Sequence, residues 1–168
     1  MTPTRSSKLT TLISRRQFLM QAGVGLAALS TTSHAVAQGS AANSRIRLGL
    51  IGCGQRGQWL LELFTEHGGY EIAAAADYFQ DKVDAVAAKF QLPPNRIFTG
   101  LRCAGKMIAQ GGLDAVAIIS PPYFHPEQAQ AAVAAGLNVY VAKPVGVDVP
   151  GCQSISASGA AARKKGQV

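Results

Sequence analysis

The chain has 168 residues, 48% hydrophobic and 15% charged, with a formal charge of +7. The charge is lopsided: residues 1–37 hold Arg5, Lys8, Arg15 and Arg16 and no acid, which leaves 12 basic and nine acidic side chains among the remaining 131 residues. That small excess, with no basic stripe interleaved with aromatics, gives no ground for nucleic-acid binding, while 131 residues suffice for one domain with a real core.

The first element is a leader. Ser14-Arg15-Arg16-Gln17-Phe18-Leu19-Met20 precedes a small apolar run, Ala22 to Leu29, and Ala35-Val36-Ala37 forms an A-x-A cleavage pattern. A positive start, a short apolar middle and a small-residue end define an export signal over residues 1–37. The apolar run is about half the roughly 20 residues that span a bilayer, so no stable membrane anchor is expected. The Ser-Arg-Arg-x-Phe-Leu order is that of a twin-arginine signal, which passes folded proteins through the twin-arginine translocase. An ordinary secretory signal that contains two arginines is the competing reading; Phe18 and Leu19 weigh against it. The expected location is the periplasm or another exported compartment. Residues 38–44, Gln-Gly-Ser-Ala-Ala-Asn-Ser, read as a flexible linker.

From residue 45 apolar runs alternate with helical periodicities. A strand over 46–51 ends in Gly52-Cys53-Gly54-Gln55-Arg56-Gly57. A helix over 56–67 follows, with Trp59, Leu60, Leu63 and Phe64 assigned to its apolar face. A second strand over 70–76 ends at Asp77, 20 residues after the last glycine. A helix over 80–90 carries Val83, Val86, Ala87 and Phe90 on one face. Ile97-Phe98 is a short strand, 101–110 a helix and Leu113–Ile119 a buried strand closed by Pro121-Pro122. A helix over about 125–135 ends at Gly136, a strand over 138–142 follows, and Pro150 opens the last helix. Alternating strands and helices imply an α/β fold with a parallel, doubly wound sheet. The expectation is that the chain is truncated before a last strand and a second domain, leaving the 138–142 strand as an open edge.

Strand, G-x-G-x-x-G, helix, strand and acid in that order describe a dinucleotide site. Gly52 permits the tight turn, Gly54 lets a pyrophosphate approach the backbone, and Gly57 lets the helix pack on the sheet. The helix start offers N–H groups and partial positive charge to phosphates. Asp77 is placed to accept from the adenosine ribose hydroxyls, which favours NAD over NADP; Lys82 on the next helix keeps NADP open. The competing reading is a tight turn beside a solvated Asp. A protein that loads such a cofactor in the cytoplasm must cross the membrane folded, which suits the twin-arginine leader.

These residues resemble the Gfo/Idh/MocA oxidoreductases over about 45–168. Beside the glycine loop and Asp77, Ser120-Pro121-Pro122-Tyr123-Phe124-His125 is similar to the family's Thr-Pro-x-x-x-His. Asn138-Val139-Tyr140-Val141-Ala142-Lys143-Pro144 is similar to its Glu-Lys-Pro segment. The resemblance implies a Rossmann domain binding NAD, with NADP possible, through Gly52, Cys53, Gly54, Gln55, Arg56, Gly57, Asp77, Ser120, Pro121, His125 and Lys143. It implies an oxidoreductase that moves hydride between a nicotinamide and a sugar- or polyol-like substrate. Lys143 takes the place of the lysine near nicotinamide and substrate, where it holds a substrate oxygen or stabilises charge as the hydroxyl loses its proton; the alternative is a surface lysine before a proline turn. His125 stands either near the cofactor or as a polar cap of its helix. Tyr123 and Phe124 either line the nicotinamide pocket or cover the sheet end. Ala142 departs from the family's glutamate. The family's other acid/base residues lie in a second domain, so this chain alone is expected to show no turnover, and any homo-oligomer to form through that domain. Two alternatives stand beside this: an NAD-dependent glycoside hydrolase with no net redox change, and a non-enzymatic dinucleotide-binding module.

Cys53, Cys103 and Cys152 have neither metal spacing nor an even count, so no metal site is expected. Three small, buried or half-buried side chains are the default, with pairing of two of them open in an oxidising compartment. Arg163-Lys164-Lys165 reads as a solvated helix end.

Overall fold

Five parallel strands form one sheet in the order β3-β2-β1-β4-β5. The computed structural model describes residues 45–168, so the leader, its cleavage pattern and the linker lie outside the described residues. The strands are β1 (Ile46–Ile51), β2 (Tyr70–Asp77), β3 (Ile97–Thr99), β4 (Ala115–Ile118) and β5 (Asn138–Val141). The helices are α1 (Gln55–His67), α2 (Gln80–Phe90), α3 (Cys103–Gln110), α4 (His125–Ala134) and α5 (Val149–Lys164). A one-turn 3-10 helix, Pro94–Arg96, follows Pro93. Among the described residues no helix is long and apolar enough to cross a membrane.

Parallel strands need crossovers, and helices supply them on both faces. On one face Leu60 and Leu61 of α1 and Val83, Val86 and Ala87 of α2 pack against Leu48, Leu50, Ala75 and Ala117. On the other, Met107 and Ile108 of α3 and Ala129 and Ala132 of α4 cover Ile51, Ala74, Ala76, Val116 and Ile118. Small residues in β2 and α4 keep the layers close. The run Ala73–Ala76 places almost no bulk between sheet and helices, so the larger side chains of the neighbouring elements fill the space.

The apolar face of α1 is the expected one at Leu60, which is buried, and at Phe64, which packs against the core, but not at Trp59 and Leu63. Gly57, Leu60 and Leu61 are its buried residues, whereas Trp59 and Leu63 are 44% and 42% exposed. Two stripes run along this helix, Gly57 with Leu61 and Trp59 with Leu63, each with a spacing of four residues. The one that starts at the smallest residue packs on the sheet, because only Gly57 lets the helix come that close. Trp59 instead lies under the Arg56 guanidinium, 4.2 Å from its ring centre, a cation–π contact on the solvent side.

The β5 edge is partly covered. The Val139 N–H donates to the Val168 carbonyl at 2.8 Å, and the Val168 N–H donates to Asn138 Oδ1 at 2.9 Å. The last residue therefore lies beside β5 at the place of a further strand, and the edge is open only beyond it. The basic run behaves as expected in part: Arg163 and Lys164 close α5, while Lys165 Nζ donates to the Val133 carbonyl at the end of α4.

Candidate dinucleotide site

In a parallel sheet all carboxyl ends point the same way, and ligands bind at that edge where the strand order reverses. Here the reversal lies between β1 and β4, the strands on either side of which the chain winds in opposite directions. The ladder runs cleanly to this edge. Gly52 N–H donates to the Ala76 carbonyl at 2.8 Å, Ile119 N–H to Ile51 at 2.7 Å, and Ala142 N–H to Ile118 at 3.0 Å.

The glycine loop sits directly on it. Gly52 has φ +99°, and a Cβ there would stand 2.6 Å from backbone atoms of Ile119 and Ser120. A Cβ on Gly57 would meet the Gly52 carbonyl at 2.0 Å, so strand end and helix start touch backbone to backbone. At Gly54 a Cβ would meet nothing within 4 Å. Gly54 has no packing reason to be glycine, and the space over it is free. It is the N-cap of α1 and, having no side chain, leaves the first helical N–H groups without a capping acceptor. Those groups, with the helix dipole, make an anion-binding end. Gln58 Nε2 donates to the Cys53 carbonyl at 2.9 Å and holds the loop from behind.

Asp77 closes the other side. Its Oδ2 accepts from the Cys53 N–H at 2.6 Å and its Oδ1 from the Phe79 N–H at 3.0 Å. Each oxygen keeps a lone pair, so the half-buried carboxylate can still accept from two hydroxyls. Cys53 is fully buried, and its thiol is pushed up to about 12, first by burial and then by the Asp77 charge. It is a small filler of the turn and no nucleophile. Burial also raises the Cys103 thiol. Cys152 is exposed on α5, contrary to the expectation of a half-buried residue, because it lies in the first turns of a helix whose buried side begins further on. All three cysteines are free.

Between these parts lies a cleft of about 320 Å³, within the usual size of a small-ligand site. It brings together Gly52, Asp77, Ser120 and Pro121 of the expected set, and Phe124 reaches it as well. Tyr78, Phe79, Gly100, Leu101, Cys103 and Gln128 join them without having been singled out from sequence. Tyr78 and Phe79 directly follow Asp77, and Leu101 follows β3, so adjacency to strand ends was the available signal. Ser120 Oγ donates to Gln128 Oε1 at 2.6 Å, which ties the loop after β4 to α4.

Other expected residues stand elsewhere. Gln55 and Arg56 are on the first turn of α1, with Arg56 turned onto Trp59. Tyr123 is 71% exposed, outside the cleft. Lys143 follows β5 at the same sheet edge, exposed and beyond the lining residues. His125 is buried at the start of α4 and makes no cap bond, so it is not the polar cap of its helix. Its ring contacts backbone carbonyls on both sides. Among the described residues no three His, Cys, Asp or Glu side chains gather as a metal would require.

Sheet order, glycine loop, uncapped helix start and Asp77 together define a dinucleotide-binding Rossmann domain. The family model for the Gfo/Idh/MocA proteins, an oxidoreductase family with an NAD-binding Rossmann fold, matches residues 46–168, and the chain belongs to that family. Over 104 residues it is 36% identical to the rhizopine catabolism protein MocA of Rhizobium meliloti, covering 62% of this chain and 31% of that one. Over 162 residues it is 31% identical to an alpha-N-acetylgalactosaminidase of Tannerella forsythia, covering 84% of this chain and 34% of that one. The WlbA dehydrogenase of Bordetella pertussis, solved in complex with NADH and UDP-GlcNAcA, superimposes with a TM-score of 0.63 at 26% identity, over 74% of this chain and 35% of that one. The chain spans about a third of the length of these relatives.

Proposed function

We propose that this chain is the NAD-holding part of an exported oxidoreductase whose substrate is a sugar- or polyol-like alcohol. The observation that carries the reading is the open space over Gly54, which faces an uncapped helix start while the rest of the loop is packed backbone to backbone. The N–H groups of Gln55, Arg56 and Gly57 suit the pyrophosphate, and the Asp77 carboxylate suits the ribose hydroxyls. A negative carboxylate there repels a 2′-phosphate, which favours NAD over NADP. When bound, NAD supplies the hydride acceptor. The residues of this chain bind and orient it, and Lys143 offers an ammonium at the same edge to hold a substrate oxygen or to stabilise charge as a hydroxyl loses its proton. The Ser14-Arg15-Arg16-x-Phe18-Leu19 order supports export of the folded protein to the periplasm.

A second reading has its own support. The alpha-N-acetylgalactosaminidase matches more of this chain than MocA does, 84% against 62%. In that reading NAD is used and regenerated while a glycosidic bond is cleaved, with no net redox change. Incubating the full-length gene product with NAD and a panel of sugars, polyols and aryl glycosides separates the two. Net NADH formation that Lys143→Ala abolishes is expected for the oxidoreductase. Release of the aglycone with no accumulated NADH would establish the hydrolase instead. Tight NAD binding with neither product would favour a binding module.

A further inference from the structure

We propose that His125 is a positioning residue that sets where the Lys143 ammonium stands, by tying the carbonyl of Pro144 to the carbonyl of Ser120. The inference rests on the reading of Lys143 as the residue at the nicotinamide edge.

His125 is 1% exposed, the one polar or charged side chain among the described residues that is buried to this degree in the core. Burial of an imidazole is costly unless its nitrogens find partners. Here Nε2 lies 2.7 Å from the Ser120 carbonyl and Nδ1 3.1 Å from the Pro144 carbonyl. Carbonyl oxygens only accept, so a hydrogen bond here is made through a ring N–H, and the tautomer sets which of the two carbonyls receives it.

Placement gives the contacts their meaning. Ser120 follows β4 and Pro144 follows β5, which are neighbours in the sheet. Their ladder ends with the Ala142 N–H on the Ile118 carbonyl. Beyond that bond, among the described residues, the His125 ring is the hydrogen-bonded link between the two strand-end loops. The ring therefore takes over where the sheet stops. On one side it holds the loop whose Ser120 and Pro121 line the cleft, and on the other the turn that carries Lys143. Lys143 is exposed and its ammonium makes no ion pair among the described residues, so its backbone turn decides where it reaches. Ala142 takes away the carboxylate that precedes the lysine in the family pattern, which leaves the turn more dependent on the Pro144 tie.

The two ring nitrogens can be tested apart. The amide nitrogen of Asn falls where Nδ1 stood, and that of Gln near Nε2. His125→Asn keeps the tie to Pro144, and His125→Gln keeps only the tie to Ser120. The readout is acetylation of Lys143 by trace acetic anhydride, followed by peptide mass spectrometry with and without NAD. In the parent chain, NAD at ten times its Kd should slow acetylation by up to about tenfold. Asn should preserve that protection and Gln should lose it, with NAD set in each case at ten times that variant's own calorimetric Kd. Equal protection in the parent and the Gln variant overturns the positioning role. An unprotected Lys143 in a parent chain that binds NAD overturns the Lys143 reading, and the inference with it. A crystal structure of the parent with NAD supplies the check if Gln does not fold: Nδ1 should remain in hydrogen-bond range of the Pro144 carbonyl, and a ring turned away from it overturns the proposal.

Discussion

The two ends of the sheet carry similar chemistry and use it in opposite ways. At the amino ends a hollow of about 580 Å³, lined by Arg45, Arg47, Glu71 and Arg96 among others, is larger than the cleft of about 320 Å³ at the carboxyl ends. Two of its charged side chains, Arg47 and Arg96, are committed to groups of this chain. Arg96 donates to the Ala73, Gly111 and Gly112 carbonyls, and Arg47 pairs through its guanidinium and its N–H with Asp114. At the carboxyl ends the first N–H groups of α1 have no cap, Asp77 keeps free lone pairs, and the space over Gly54 is open. Size alone would favour the amino end. Hydrogen-bonding capacity left unused favours the carboxyl end, because native structures leave such groups unpaired mainly where a ligand or water completes them.

Substitutions at the two ends should therefore separate stability from binding. The largest effect is expected at Gly57, where a Cβ would overlap the Gly52 carbonyl. Gly57→Ala should cost about 3 kcal/mol or more in urea unfolding and lose NAD binding with the distorted turn; an unchanged unfolding midpoint would break the packing argument. Next, Arg96→Met leaves three carbonyls at the amino end without their donor. About 2 kcal/mol of stability should be lost with NAD affinity unaltered, and a loss of affinity would blur the division between the ends. Asp77→Asn should weaken NAD by about tenfold and narrow the preference over NADP, measured by calorimetry with both dinucleotides. The smallest effect concerns Asp114. Arg47 holds its carboxyl below the ordinary range, first through the side-chain hydrogen bond. With the folded value lowered, the pair stabilises the chain above the unfolded value of about 3.9, and that support is lost as pH falls through the folded value. Both partners are roughly half exposed, so Asp114→Asn should lower stability only slightly at neutral pH, flatten the acid limb by the same small amount and change nothing below the folded value.

Much of this was legible in the sequence because the signals are local. Apolar runs and glycine stops placed every strand within a residue or two, and the glycine loop followed by Asp77 pointed to the NAD-binding Rossmann fold of the family. What escaped depends on contacts between distant segments. Trp59 and Leu63 were expected beside Leu60 and Phe64 on the apolar face of α1, and only the close approach at Gly57 decides that their side stays outside. His125 acquires its role from Pro144, 19 residues away across a strand, which no spacing rule reveals. The cleft residues Tyr78, Phe79 and Leu101 are gathered by sheet order, which brings the ends of β2, β3 and β4 into one rim. Cys152 was misjudged because composition says nothing of where a helix turns its sides.

Calorimetric titration of NAD into the parent chain and into Gly54→Val tests the central claim most directly. Gly54 has φ −66° and free space around its missing side chain, so valine fits the chain itself. The urea midpoint should stay where it is while NAD affinity falls by more than about tenfold, since the new side chain occupies the path of the pyrophosphate. Equal affinity in the two proteins would contradict the assignment of this loop as the cofactor site.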